Sequence, residues 1–160
     1  MSDALILDYV RTPRGKASPK GSLHDRTAID LLIHLKGALV DRTGLDPGRV
    51  DDVIVGCASQ VDEQGADIAR TAALLAGWGD HVPGVTINRF CASGIDAVAH
   101  AAARLRAGDR GLGVAGGVES VSRVPLFADR GPLWTDPLTI RAVGPVHMGV
   151  AADPNATIAG

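Results

Sequence analysis

The sequence predicts an α/β fold with a mostly parallel sheet covered by helices. Short aliphatic runs alternate with segments of helical apolar spacing, and Gly or Pro residues separate them. Hydrophobic residues make up 46% of the 160 residues but aromatic residues only 3%, so the core must be aliphatic. A β-α-β-α order implies crossover connections between parallel strands that are buried on both faces.

The first predicted elements are a strand and a long helix. Residues 4–10 form an aliphatic run, which predicts a buried strand. A helix is expected over residues 27–43, with Asp25 as its N-cap and Gly44 just beyond its end.

The following elements continue the alternation of strand and helix. Strands are expected at residues 53–57, 85–88 and 112–115, and helices at residues 66–76 and 92–107. Gly108 should end the last of these helices, and two glycines close the last strand.

The character of the chain changes after Val118. Residues 124–144 are rich in Pro, Gly, Asp and Arg without a clear period, which predicts an irregular excursion or a small subdomain. Residues 147–158 have a helical start, but the Asp-Pro-Asn sequence around Pro154 predicts a break or a restart.

Charge and hydropathy exclude several classes of partner. The net charge of −2 gives no field that would draw the protein to nucleic acid or to an anionic membrane. No apolar run approaches the roughly 18 residues of a membrane span. The first residues lack the pattern of a secretion signal, so the expected location is the cytoplasm.

The two cysteines do not form a metal motif. Cys57 and Cys91 are far apart, and neither takes part in a Cys-x-x-Cys pair or a Cys/His spacing typical of zinc, so no metal site is expected. One disulfide between them is possible, but nothing else in the sequence indicates secretion.

Cys91 lies where a predicted strand leads into a predicted helix. A thiol at a helix N-terminus faces unpaired backbone N–H groups and the positive end of the helix dipole, which favour the thiolate. Sites in parallel sheets form beyond the carboxyl ends of the strands. Cys91 is therefore the candidate nucleophile for covalent catalysis, and the alternative is a small buried core residue.

Several segments, taken in order, resemble the thiolases, the acyl-CoA C-acyltransferases. The segment Asn-Arg-Phe-Cys-Ala-Ser-Gly at residues 88–94 resembles the nucleophile motif of this family. Further resemblances are Arg-Thr-Pro at residues 11–13, the Ala-Arg-Thr-Ala-Ala-Leu helix at residues 69–74, Gly-Gly-Val-Glu-Ser at residues 116–120 and His-Met-Gly at residues 147–149.

The resemblance implies a thiolase-like N-terminal half. The family has two similar halves and chains well over twice this length. Residues 1–122 would then be an incomplete N-terminal α/β core, and residues 123–160 the truncated start of the family's loop domain. The implied reaction is thiolysis of a 3-ketoacyl-CoA, or the reverse Claisen condensation, in fatty acid metabolism.

The resemblance also implies roles for individual residues. Cys91 would be the nucleophile and its backbone N–H part of an oxyanion hole. Four small residues would form the active-site turn: Ser93, Gly94, Gly116 and Gly117. The alternative role for Ser93 is to cap the helix. The alternative for Gly116 and Gly117 is a simple turn at the end of the strand. Glu119 is expected to have a structural role through hydrogen bonds to nearby backbone.

His147 would lie beside the pantetheine arm of CoA, and Met148 would line the acyl pocket. The alternative is a surface histidine beside a buried methionine. Coenzyme A would be a substrate, and no cofactor is expected. The family dimerises through the strand that precedes the nucleophile, which predicts a homo-oligomer.

Parts of the family's machinery have no counterpart in these 160 residues. No histidine is followed by proline, so the activating Gly-His-Pro motif is missing, and Cys57 lacks the glycines of the second catalytic cysteine. We therefore expect little or no turnover from this chain alone. Two alternatives stay open: a ketoacyl-synthase-like condensing enzyme, and a non-catalytic relative that acts as a binding or assembly module.

Overall fold

The computed structural model describes residues 3–109 and 111–159. These residues form helices, strands and two short 3-10 turns. In chain order the elements are α1 (Ala28–Thr43), β1 (Val50–Gly56), α2 (Ile68–Leu75), β2 (Gly84–Ile87), α3 (Ser93–Ala107), β3 (Leu112–Gly117), α4 (Pro132–Thr135), α5 (Pro137–Val143) and α6 (Met148–Ala159).

The three strands form one parallel sheet in the order β2-β1-β3. The central strand β1 is exposed at Asp51 but buried on both faces from Val53 to Gly56, where its aliphatic run lies. Val53 and Val55 belong to a core shared with α1 and α2, whereas Ile54 lines a cavity of about 230 Å³ with Ala101 and Leu105 of α3. The predicted parallel, helix-covered sheet is confirmed.

The chain divides into two compact units, of which the first extends to Ala128 and the second begins at Asp129. The first contains the sheet and helices α1 to α3, and the second contains helices α4 to α6. The boundary expected after residue 122 stays a prediction.

The predicted strand at residues 4–10 is wrong. This segment forms no strand in the described part of the chain, and its apolar side chains are exposed, with 75% of Leu5 and 81% of Ile6 open to solvent. A strand needs a hydrogen-bonded neighbour, and the described sheet pairs only three strands with one another.

Helix α1 begins two residues later than an Asp25 cap would place it. Thr27 is the N-cap, and it forms a capping box with Asp30: Asp30 N donates to Thr27 Oγ1 at 3.1 Å and Thr27 N donates to Asp30 Oδ2 at 3.2 Å. These hydrogen bonds to the charged form lower the pKa of Asp30.

The break predicted around Pro154 is also wrong, because α6 continues through it from Met148 to Ala159. Proline removes one helical hydrogen bond, but its fixed φ is compatible with a helix. The alanines of this segment favour helix on both sides of Pro154.

Candidate active-site turn

Cys91 lies in the short turn between β2 and α3, at the carboxyl edge of the sheet. Its side chain is a free thiol on an exposed residue. The helix begins two residues later at Ser93, with Ala92 as the N-cap residue. The structure therefore places the thiol at a helix start and outside the core, as the sequence predicts.

Side-chain hydrogen bonds define the backbone of this turn. Phe90 N donates to Asn88 Oδ1 at 2.7 Å, and Asn88 Nδ2 donates to the carbonyl oxygen of Ala58 at 2.9 Å. Ser93 Oγ accepts from Arg89 N at 2.8 Å and donates to Phe90 O at 2.5 Å. Ser93 is thus the first helical residue and binds the preceding turn, so the predicted helix cap is wrong.

An ion pair connects the turn to the first turns of α3. Arg89 Nε lies 2.9 Å from Asp96 Oδ2. His100 Nε2 lies 3.8 Å from the same carboxylate oxygen, one helical turn further along. The side chain of Arg89 is 65% exposed, so solvent screens this ion pair and it adds little to stability. Its main effect is to fix the position of the turn relative to α3.

Close backbone contacts position the start of α3 against the ends of β1 and β3. A Cβ atom on Gly56 would lie 2.2 Å from the carbonyl carbon of Ser93, and one on Gly117 would lie 3.1 Å from Gly94 Cα. Glycine is needed where backbones approach this closely. The structure brings Ser93, Gly94 and Gly117 together, whereas a Cβ on Gly116 would meet nothing within 4 Å.

Glu119 joins the loop after β1 to the segment after β3. Its carboxylate accepts from Ala58 N at 2.7 Å, from Ser59 N at 3.3 Å and from Gln64 Nε2 at 2.8 Å. The fully buried Gln64 in turn accepts from Ser120 N at 2.6 Å through Oε1. The structural role expected of Glu119 is confirmed by these contacts.

Cys57 is buried, whereas Cys91 is exposed. Cys57 is 1% exposed, and its Sγ lies 3.9 Å from Glu119 Oε2. Burial, followed by the charge of Glu119, raises the pKa of the Cys57 thiol to about 12. A thiol that stays protonated at neutral pH is a poor nucleophile.

The other two predicted site residues lie in the second unit. His147 is exposed and directly precedes α6. Its Nδ1 accepts from Gly149 N at 3.4 Å. Met148, the first residue of α6, is 61% exposed. Of the alternatives for this pair, a buried methionine does not fit the structure.

Sequence reasoning missed two contributors to the site. The first is Gly56, which immediately precedes Cys57. The available signal was its position, because a glycine at the end of a strand indicates a close approach of another backbone segment. The left-handed backbone of Phe90, with φ of 48°, has no local signal in the sequence, because bulky residues rarely adopt it.

Comparison with known proteins identifies the family. A family model described as the thiolase N-terminal domain matches residues 4–153. The chain belongs to the thiolase family. The predicted resemblance is therefore confirmed over nearly the whole length of the sequence.

Individual thiolases match more than three-quarters of this chain. The 3-oxoadipyl-CoA/3-oxo-5,6-dehydrosuberyl-CoA thiolase of Escherichia coli is 48% identical over 126 residues, covering 78% of this chain and 31% of that protein. A 3-ketoacyl-CoA thiolase of Aeromonas hydrophila is 42% identical over 127 residues, covering 79% of this chain and 33% of that protein. The chain thus spans about a third of the length of these thiolases.

A solved structure has the same fold. The crystal structure of the Bacillus anthracis acetyl-CoA acetyltransferase matches with a TM-score of 0.61 and 42% identity, covering 66% of this chain and 26% of that chain. The α/β class and the parallel sheet of this chain are those of a thiolase.

Two further searches of the described residues bear on the site. Within residues 3–109 and 111–159, no group of three His, Cys, Asp or Glu side chains is arranged to hold a metal ion. In the same residues, no helix has both the length and the apolar character needed to cross a membrane.

Proposed function

We propose that this chain supplies the cysteine nucleophile of a thiolase-type acyl-CoA C-acyltransferase. The observation that carries the proposal is the contrast between the two thiols. Cys91 is exposed at the start of α3 within the family's nucleophile motif, whereas burial and Glu119 hold the Cys57 thiol protonated. Covalent catalysis needs an accessible sulfur at a site that favours the thiolate.

The reaction proceeds through an S-acyl cysteine. In thiolysis, the Cys91 thiolate attacks the C3 carbonyl of a 3-ketoacyl-CoA, the C2–C3 bond breaks, and the acetyl-CoA carbanion takes up a proton. The thiol of a second coenzyme A then loses its proton, which balances the proton taken up by the carbanion, and its sulfur attacks the acyl-enzyme. The bond between the acyl carbon and Cys91 Sγ breaks, which releases the shortened acyl-CoA and regenerates the Cys91 thiolate. Coenzyme A is a substrate here, and the proposed reaction uses no cofactor.

The active-site turn stabilises charge in this scheme. The Cys91 backbone N–H lies at the helix start and is the proposed oxyanion donor. Ser93 fixes the turn through two hydrogen bonds, and Gly94 with Gly117 keeps the helix start close to the sheet. Gly116 leaves open space that an acyl group can approach. His147 and Met148 are proposed to contact the pantetheine arm and the acyl chain.

The substrate is proposed to be a 3-ketoacyl-CoA. The Escherichia coli and Aeromonas relatives are named as thiolases of such compounds. This favours thiolysis over the condensing-enzyme alternative and is compatible with fatty acid metabolism. The two free thiols support action in the reducing cytoplasm.

The proposed assembly is a homodimer formed through β2. This strand is at one end of the sheet, so its outer edge can pair with a second copy. Val85 on this strand is 41% exposed, which supplies apolar surface for such a contact.

Mass spectrometry of the acylated protein tests the nucleophile. After incubation with acetyl-CoA or acetoacetyl-CoA, we expect an acetyl group on the peptide that contains Cys91, and its loss in Cys91→Ser. The matched control is Cys57→Ser, which should keep the adduct. A folded protein without an adduct on Cys91 would favour a binding or assembly module instead.

A thiolysis assay on the same sample tests the expected lack of turnover. Without a histidine to activate the thiol or a second catalytic cysteine, the chain should form the adduct but not cycle. Multiple turnovers would contradict this expectation.

A further inference from the structure

Phe90, the residue before the proposed nucleophile, has a strained backbone. Its φ of 48° lies in the left-handed region, which bulky residues rarely occupy. Its side chain is 59% exposed, so packing of the ring is not what holds this conformation. Such strain persists only where the surroundings impose it, and it is concentrated at functional sites.

Asn88 supplies two of the constraints. One end of its side-chain amide accepts from Phe90 N at 2.7 Å, and the other end donates to the carbonyl oxygen of Ala58 at 2.9 Å. An asparagine that accepts from the backbone two residues later forms an Asx turn, which favours tight reversal of the chain. Asn88 thus links the strained residue to the loop that follows β1.

The Ala58 end of this link is itself held. Ala58 N donates to Glu119 Oε2 at 2.7 Å, and Gln64 Nε2 holds the other carboxylate oxygen at 2.8 Å. The segments that follow all three strands are therefore connected through Glu119, Ala58 and Asn88. The contacts of Ser93 and Arg89 connect the turn to α3 instead.

We propose that Asn88 is a positioning residue that holds Phe90 in its left-handed conformation and so presents the Cys91 thiol at the start of α3. The consequence for acyl transfer rests on the proposed function, but the effect on the thiol does not. Without Asn88, the turn relaxes to an ordinary backbone conformation, and the Cys91 thiol moves away from the start of α3, a position at which thiols are in general more reactive.

Two substitutions at Phe90 test the backbone requirement directly. Phe90→Gly and Phe90→Val both remove the exposed ring, but glycine adopts a positive φ readily and valine does not. We expect the rate of Cys91 alkylation by iodoacetamide to stay within about twofold of wild type in Phe90→Gly and to fall about tenfold in Phe90→Val. Equal rates in the two variants would overturn the proposal.

A rescue experiment tests the role of Asn88. Asn88→Ala should lower the Cys91 alkylation rate about tenfold, the factor expected for loss of the hydrogen bond from Phe90 N that fixes the turn. Adding Phe90→Gly to Asn88→Ala should restore most of the rate, because glycine no longer needs the constraint. An unchanged rate in Asn88→Ala, or no rescue by Phe90→Gly in a folded double variant, would contradict the proposal.

Peptide-level mass spectrometry gives the readout and an internal control. Cys57 is buried, so its alkylation reports unfolding in the same sample. If Asn88→Ala labels Cys57 rapidly, that variant is unfolded and the Phe90 pair decides the proposal alone. The acetyl-adduct assay is separate: a wild-type protein that forms no adduct but shows the predicted alkylation pattern loses the proposed function and keeps the positioning role.

Discussion

Lys36 lies on the buried side of α1, with its Nζ atom 4.0 Å from the centre of the Trp78 ring. The residue is 4% exposed, and Nζ has no hydrogen-bond partner among the described residues. The face of the ring offers partial compensation through a cation–π contact. Burial nevertheless lowers the pKa of Lys36 from 10.5 to about 8.

The pKa shift of Lys36 makes stability depend on pH in a defined direction. Below pH 8 the folded protein must keep a charge in its core, and the penalty is on the order of 3 kcal/mol at roughly 1.4 kcal/mol for each unit of pKa. Between pH 8 and 10.5 the unfolded chain binds more protons than the folded one, so this contribution rises with pH. Above pH 9.0 the Cys57 thiol has the opposite effect, because it ionises first in the unfolded chain.

Between pH 8 and 9 the effect of Lys36 is the larger of the two, because the Cys57 thiol of the unfolded chain reaches half ionisation only at pH 9.0. Over this range we expect the wild-type free energy of unfolding, measured by urea titration, to rise by roughly 1 kcal/mol from this group. Lys36→Met should be more stable than wild type at pH 7 and should lack the rise. Lys20→Met, at an exposed lysine, is the control and should keep it; an unchanged slope in Lys36→Met would refute the assignment.

Strand β1 makes a close backbone contact with the start of α3. The missing Cβ of Gly56 leaves space for the carbonyl group of Ser93, where a side chain would lie 2.2 Å from the nearest atom. The contact sets how close the start of α3, which follows the Cys91 turn, lies to the central strand.

Gly56→Ala should therefore destabilise the protein by about 2 kcal/mol or more, because an overpacked core must shift backbone. The measurement is the urea midpoint followed by tryptophan fluorescence. Gly113→Ala is the matched control, since it is also in a strand and its Cβ would meet nothing within 4 Å. The idea fails if the two variants unfold at the same urea concentration.

The elements also show how far the sequence could predict this fold. The limits of α2, α3 and β2 agree with the structure within two residues, because helical and aliphatic periodicity are local properties. Residues 4–10 have the same aliphatic character as a strand but no strand partner among the described residues. Pairing is non-local, so the pattern alone could not reveal its absence.

The candidate site was predictable to a similar extent. The motif and the helix start located Cys91, Ser93 and the glycines. The turn conformation depends on hydrogen bonds between Asn88, Phe90 and the distant Ala58. Burial of Lys36 could not be predicted either, because lysine on a helix face ordinarily indicates solvent.

On the scale of the whole molecule, helix α3 has an exposed apolar side. Ile95 is 79% exposed and Val98 is 40% exposed, although both occupy the apolar positions of α3. The family relatives are about two and a half times as long as this chain. The chain alone therefore presents apolar surface to water.

Ile95→Glu should lower the binding of an apolar dye such as anilinonaphthalene sulfonate, because it places a charge in the centre of this face. Dye fluorescence at a fixed protein concentration is the measurement. Leu75→Glu replaces a residue that is 61% exposed at the end of α2 and should change the signal less. Equal effects of the two substitutions would show that α3 has no special role.

Residues 4–10 belong to no strand of the described sheet, which leaves this segment accessible to proteases. Leu5, Leu7 and Tyr9 are each about three-quarters exposed, and all three are cleavage points for chymotrypsin, which needs an extended and accessible backbone. Asp8 pairs with Arg42 of α1 at 3.0 Å, so Leu5 and Leu7 should be cut first. The earliest peptides in a limited digest would thus come from the first seven residues, before any cut inside the sheet.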